Sequence, residues 1–107
     1  MDRVLKTRIE IVIESAGTRD VVRALVGAGA PGYTVLREAT GSGRHGSRPG
    51  GDVTDLLSNH VVVVIAPRDS VPQLLSALEP VLELFPGIVN VVDVDQVIFE
   101  DTQRHAQ

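Results

Sequence analysis

The sequence has 107 residues, of which 43% are hydrophobic and 22% are charged, so it suits one domain with an aliphatic core and excludes wholesale disorder. The formal net charge of −4 argues against a nucleic-acid-binding surface over the whole domain, and the absence of cysteine excludes disulfides and thiolate metal sites. No apolar signal region opens the chain, and the longest apolar run, residues 61–67, is too short to span a bilayer. A cytoplasmic protein without membrane insertion is therefore expected.

The first part of the chain predicts a strand, a helix and a second strand. Isoleucines alternate with polar residues over residues 7–14, which is typical of a half-buried strand. Residues 18–27 carry apolar side chains at helical spacing, with Thr18 as the predicted N-cap and Gly27 or Gly29 as the stop. Residues 33–39 then form a second predicted strand.

The second part repeats this order after a long loop. Residues 61–66 are β-branched and apolar on both faces, which predicts a central strand. Ser70 and Gln73 have the spacing of a capping box, and Pro80 is expected to kink or shorten the helix that follows. Pro86-Gly87 ends the helix, and residues 88–94 and 97–99 complete the strands with a break near Asp95-Gln96. One helical face is predicted to pack inward: Leu74, Leu78, Val81, Leu82 and Phe85.

This order predicts an α+β fold of the ferredoxin-like βαββαβ type, with two helices on one face of a four-stranded antiparallel sheet. The other face of the sheet still needs cover. Apolar residues on both sides of residues 61–65 indicate that partner subunits supply it.

The loop between the second and third strands contains ATGSGRHGSRPGGD over residues 39–52, in which Gly41, Gly43 and Gly46 match G-x-G-x-x-G. A dinucleotide site needs a helix that starts within this motif, and residues 47–52 cannot open one. The remaining interpretations are a flexible surface loop, or a loop that binds an anion or a partner. Arg44, His45 and Arg48 make the segment locally basic, and arginines and glycine amides suit anions.

Catalytic and metal-binding patterns are absent from the sequence. His45, His60 and His105 are scattered without metal-ligand spacing, and His60 at the start of a strand is interpreted as structural. Asp93 and Asp95 share a strand face and are interpreted as a solvated pair. A non-enzymatic protein without a metal is therefore expected, and a small nucleotide-phosphate hydrolase is the enzymatic alternative.

Several segments resemble the PII signalling proteins. Gly32-Tyr33-Thr34-Val35 followed by GSGRHG at residues 41–46 resembles the family's entry into its T-loop, "GMTV…KGFGRQKG". Residues 60–65 resemble the strand that leaves that loop, and VDVDQVI at residues 92–98 resembles the family's ending "FDVARVIR". The resemblance covers roughly residues 5–99. It implies one PII-like domain over residues 1–107, with a T-loop at about 40–59 and a polar tail at about 100–107.

The resemblance also implies a homotrimer that binds adenine nucleotides between subunits and grips an unknown protein target, such as a transporter or an enzyme, with the T-loop. On the matching positions, the nucleotide would contact Gly32, Thr34, Gly41, Gly43 and Arg44 of one chain and Gly87, Ile88 and Val89 of its neighbour.

The departures from the family pattern narrow the expected ligand. His45 replaces the glutamine of the family's metal and 2-oxoglutarate site, and the T-loop has no tyrosine to modify. The family's B-loop is collapsed to residues 85–88, and Ile88, Phe99 and Asp101 fall where the family has cationic phosphate ligands. We therefore expect AMP or ADP rather than ATP, with cyclic AMP as a further candidate.

A shortened B-loop and an altered T-loop are similar to the divergent PII-like proteins of inorganic-carbon uptake and carboxysomes. This similarity implies a role in carbon metabolism or carboxysome function and suggests bicarbonate as a second ligand, held by Arg44, His45 and Arg48. The alternatives are a nitrogen-regulatory PII-type protein and a structural or metal-tolerance trimer of the CutA type.

Overall fold

The computed structural model describes residues 1–39 and 58–99, which form a four-stranded antiparallel sheet with two helices on one face. The sheet order β2-β3-β1-β4 is that of the ferredoxin-like fold, as predicted. The predicted T-loop positions 40–57 and the predicted tail at 100–107 lie outside the described residues. The elements are β1 (Asp2–Glu14), α1 (Thr18–Gly27), β2 (Thr34–Ala39), β3 (Asn59–Ala66), α2 (Val71–Leu84) and β4 (Gly87–Ile98).

The core lies between the sheet and the two helices. Every second residue of β1 and β3 points into it, and each helix contributes one apolar stripe, as the sequence periodicity predicted. Its largest fully buried apolar side chains are Ile9, Ile11, Ile13, Val21, Leu25, Val62, Val64, Leu74 and Leu78.

The two longest strands extend further than the sequence predicted. β1 begins at Asp2 because it pairs with β4 as far as Ile98. β4 is continuous, and the predicted break at Asp95-Gln96 is wrong. Asp95 and Gln96 pair with Leu5 and Val4 of β1. Backbone pairing with β1 therefore keeps these two residues in the strand, although their polar side chains do not indicate one.

Helix α1 has the predicted bounds but different ends. A 3₁₀ turn at Ser15–Gly17 leads into it, so Gly17 is the N-cap and the prediction for Thr18 is wrong. The backbone N–H of Thr18 already donates to the Ser15 carbonyl, which places Thr18 inside the helix. At the other end Gly29 has φ +92°, a left-handed conformation that suits glycine just after a helix.

Helix α2 is not capped by the predicted capping box. The Ser70 hydroxyl donates to the Pro67 carbonyl at 2.8 Å, and the Gln73 amide donates to the Ala28 carbonyl at the end of α1, also at 2.8 Å. Pro80 does not shorten the helix, which continues to Leu84. Pro80 lies on the exposed side, where water can bind the carbonyl that has lost its donor.

Candidate functional site

The predicted nucleotide contacts of the described chain fall at two opposite edges of the sheet. Thr34 begins β2, which is one edge strand, and Gly32 lies two residues before it. Gly87, Ile88 and Val89 begin β4, which is the other edge strand. Two strands separate them, and neighbouring strands are about 4.8 Å apart, so the two groups lie roughly 14 Å from each other within one chain.

The β2 edge offers open space. Gly32 and Thr34 are both exposed, and no described atom lies within 4 Å of the position that a Cβ on Gly32 would take. Nothing described inside the chain therefore requires glycine at this position. Close approach of a ligand or of another chain would still favour glycine here.

The β4 edge has a structural reason for its glycine. A Cβ on Gly87 would lie 2.7 Å from the Val12 carbonyl oxygen and 3.2 Å from Leu82 Cδ2, so Gly87 lets β4 approach β1 directly after α2. Val89 turns its side chain toward the core, whereas Ile88 is half exposed on the opposite face of the sheet. Of the three predicted contacts here, Ile88 is the one whose side chain faces outward.

The face of the sheet without helices, called here the open face, is largely apolar. Cross-strand pairing places Leu36 beside Val61, Val61 beside Val12, and Val12 beside Ile88, so one apolar row runs across all four strands. Leu36 and Ile88 keep 53% and 50% of their surface exposed in the single chain. A continuous exposed apolar row of this kind is typical of a surface that binds protein.

The remaining predicted contacts lie outside the described residues, so their placement stays a prediction. They are Gly41, Gly43, Arg44, His45 and Arg48. The predicted roles of all the site residues in ligand binding likewise stay predictions.

His60 and Asp93, which the sequence analysis discussed, each form a side-chain hydrogen bond. His60 Nδ1 and the Thr18 hydroxyl are hydrogen-bonded at 2.8 Å, which ties the start of β3 to α1. The buried Thr7 hydroxyl donates to Asp93 at 3.3 Å, and Arg68 lies 3.8 Å from the same carboxylate. Arg68 and Asp93 are well exposed, so this ion pair contributes little to stability.

A cleft that the sequence did not predict lies on the helix side of the sheet, between α1 and β2. It has a volume of about 610 Å³ and a floor formed by Val22 and Val35. The signal that could have found it is the spacing of two arginines four residues apart on α1, facing a third on β2. We call it the arginine cleft; its polar lining includes Thr18, Arg19, Arg23, Tyr33, Arg37 and His60.

Within the described ranges 1–39 and 58–99, no three His, Asp or Glu side chains are grouped so that they could hold a metal ion. Neither α1 nor α2 is long and apolar enough to cross a membrane.

The sheet order and the two helices on one face define a ferredoxin-like α+β fold. The sequence matches the family "Nitrogen regulatory protein P-II" over residues 6–103, so the chain belongs to the P-II family. A comparison with curated proteins gave no match.

Solved structures agree with this assignment. CPII from Thiomonas intermedia K12, a nitrogen regulatory PII-like protein bound to ADP, AMP and bicarbonate, is 25% identical with a TM-score of 0.74, over 89% of this chain and 91% of that one. A CPII structure bound to ADP and bicarbonate is 27% identical, with the same TM-score of 0.74 and the same coverage of 89% and 91%. A structure described as that of a PII-like signalling protein from Thermus thermophilus is 28% identical with a TM-score of 0.71, over 91% of this chain and 94% of that one.

Proposed function

We propose that this protein is a non-enzymatic PII-like sensor. It forms a homotrimer, binds ADP or AMP in the clefts between subunits, and regulates a partner protein through the T-loop. The observation that carries this proposal is the separation of the predicted contacts: Thr34 and Ile88 lie on opposite edge strands of one sheet. A second copy of the chain would bring a β2 edge and a β4 edge to the same ligand.

The open face supports the trimer. Leu36, Val63 and Val92 are apolar side chains on the side of the sheet that carries no helix in this chain. A cyclic arrangement places the same patch of each subunit against a different patch of the next. Such a ring would cover the apolar row and form three equivalent clefts.

The choice of nucleotide follows from charge. Ile88 is an apolar side chain at a position where the resemblance places a cationic phosphate ligand, and Phe99 and Asp101 occupy the other two. With fewer cations for a triphosphate, the cleft should favour ADP or AMP over ATP, with cyclic AMP as a further candidate. The binding of ADP, AMP and bicarbonate by CPII supports this ligand set. Bicarbonate is the second ligand that we propose, at Arg44, His45 and Arg48.

Signalling would use differential affinity. A nucleotide that binds one arrangement of the T-loop better than another shifts the population toward it, and a partner reads that arrangement. The context that we propose is inorganic-carbon metabolism or carboxysome function in the cytoplasm, with a transporter or a carbon-metabolism protein as the target.

A ligand panel tests the proposal. Thermal unfolding is measured with AMP, ADP, ATP and cyclic AMP, each with and without bicarbonate. A ligand at about 100 times its Kd stabilises the folded state by about 2.7 kcal/mol. In a domain of this size that raises Tm by roughly 10 °C or more. We expect ADP and AMP to give the largest shifts, and no shift with any of the four would refute the proposal.

A complementation experiment tests whether the site lies between chains. Gly32→Val alters the β2 edge and Ile88→Glu alters the β4 edge, and each variant alone should lose ADP binding. In mixed trimers, a cleft formed by β2 of one variant and β4 of the other is intact, so about a quarter of the clefts should bind ADP again. No recovery in trimers shown to be mixed would place the site within one chain.

A further inference from the structure

The arginine cleft is built from alternating residues of β2 and one face of α1. Val35 packs on the core, so strand alternation also turns Tyr33 and Arg37 toward the helices. Arg19 and Arg23 are four residues apart and therefore lie on one face of α1. Local geometry thus sets which side chains share a face, and the packing of α1 against the sheet brings the three arginines to one cleft.

The charge of this cleft is opposite to that of the whole chain. Among the residues that the structure describes, its lining contains three arginines and no aspartate or glutamate, whereas the chain carries a net charge of −4. In the part of the chain that the structure describes, the ion pairs are Arg8–Glu10 and Arg68–Asp93, and neither includes an arginine of the cleft. Like charges four residues apart on a helix repel each other. A bound anion would therefore reduce the electrostatic repulsion between Arg19 and Arg23.

The other lining groups fit a ligand larger than a single small ion. Val22, Val35 and the half-exposed ring of Tyr33 supply apolar lining, while Ser15 and Thr18 add polar residues. The volume of about 610 Å³ falls within the range of roughly 300–1,000 Å³ that is typical of small-molecule sites.

The arginine cleft is distinct from the predicted nucleotide site. Thr34 and Leu36 face the open side of the sheet, whereas Tyr33, Val35 and Arg37 face the helices. A ligand in the arginine cleft would therefore touch β2 from the side opposite to a nucleotide.

We propose that the arginine cleft is a second ligand site, which binds a small polyanion with two or more phosphate or carboxylate groups. Planar guanidinium groups bind both kinds of anion in a bidentate manner, so three arginines favour a ligand by its multiple negative charges rather than by its central atom. This site goes beyond the proposed nucleotide sensor and does not depend on it.

Isothermal titration of the full-length protein at low ionic strength tests the proposal, with pyrophosphate and citrate as probes. We expect one site per chain for at least one of them, and the stronger binder identifies the anionic group. Arg19→Gln/Arg23→Gln should weaken binding by about tenfold for each arginine. The matched control is Arg3→Gln/Arg68→Gln, which removes two positive charges outside the cleft and should change the affinity by less than about twofold, since exposed charges at a distance are screened.

A single variant on β2 and NMR mapping test the location of the bound anion independently of the α1 double variant. Arg37→Gln changes the β2 side of the cleft and should weaken binding on its own, even if the α1 double variant unfolds. NMR shift changes on adding pyrophosphate should centre on Tyr33, Arg37 and His60. Shift changes centred on Thr34 and Ile88 would instead place the anion at the nucleotide site and overturn the proposal.

Other results would also overturn it. These are an absence of saturable binding at millimolar concentration, an equal loss of affinity in the cleft variant and the charge control, or binding of a short polyglutamate peptide without binding of either small anion. The α1 double variant should leave ADP binding unchanged. A protein that bound pyrophosphate through Arg19 and Arg23 but bound no nucleotide would support the second site and refute the sensor.

Discussion

Leu36 provides a direct test of what covers the open face. It lies at the β2 end of the apolar row, beside Val61, with 53% of its surface exposed in the single chain. Fully burying a leucine is worth about 1.5–3 kcal/mol, so covering the exposed half contributes about 1 kcal/mol per subunit. Replacing it with glutamate removes this gain and buries a charge at a cost of several kcal/mol per chain.

Since each 1.4 kcal/mol is a tenfold change in an equilibrium constant, Leu36→Glu should shift the assembly from trimer to monomer at micromolar concentration. The control is Val26→Glu on α1, because Val26 has nearly the same exposure, 55%, but lies on the helix side of the molecule. Sedimentation equilibrium of the wild type and the control should give three times the chain mass of 11.4 kDa.

ADP titration of the same samples links assembly to the site. Leu36→Glu should lose ADP binding together with the trimer, since the proposed cleft needs two chains. A Leu36→Glu variant that stayed trimeric, or a wild type that sedimented as a monomer, would show that the open face is not the trimer interface.

Three glycine substitutions separate packing from ligand binding. Gly87→Ala should destabilise the fold by about 1–3 kcal/mol in chemical unfolding, because its Cβ would lie 2.7 Å from the Val12 carbonyl oxygen; unchanged stability would contradict that contact. Gly27→Ala, in the last turn of α1 with no described atom near the new Cβ, should instead stabilise by about 0.5–1 kcal/mol, and a loss would refute the helix assignment there. Gly32→Ala should leave the free energy of unfolding nearly unchanged but weaken ADP binding in calorimetry, and unchanged affinity would remove Gly32 from the site.

Local pattern was enough to predict the elements. The alternation of isoleucines in β1 and the apolar stripe of α2 each specify which face is buried, because side-chain periodicities of two and 3.6 residues are properties of the backbone itself. The resemblance to PII proteins came from motifs in a fixed order, and the family match over residues 6–103 confirms it.

Two errors fall where a residue far away in the sequence decided the outcome. Asp95 and Gln96 look like a break but are held in β4 by Leu5 and Val4, which lie about ninety residues earlier in the chain. Gln73 was predicted to cap its own helix, and it binds the Ala28 carbonyl of α1 instead. A capping pattern specifies only what a side chain can reach locally, and tertiary contacts compete for the same donor.

The sequence by itself determined the strands, the helices, the family and the glycine positions that suggested a nucleotide site, because each depends on residues close together in the chain or on motifs in order. Only the tertiary structure decided that Thr34 and Ile88 lie at opposite edges of the sheet, which is why we propose a site shared between two chains. Only the tertiary structure also brought Arg19 and Arg23 opposite Arg37. Sheet order and helix packing set these distances, and both depend on contacts between residues far apart in the sequence.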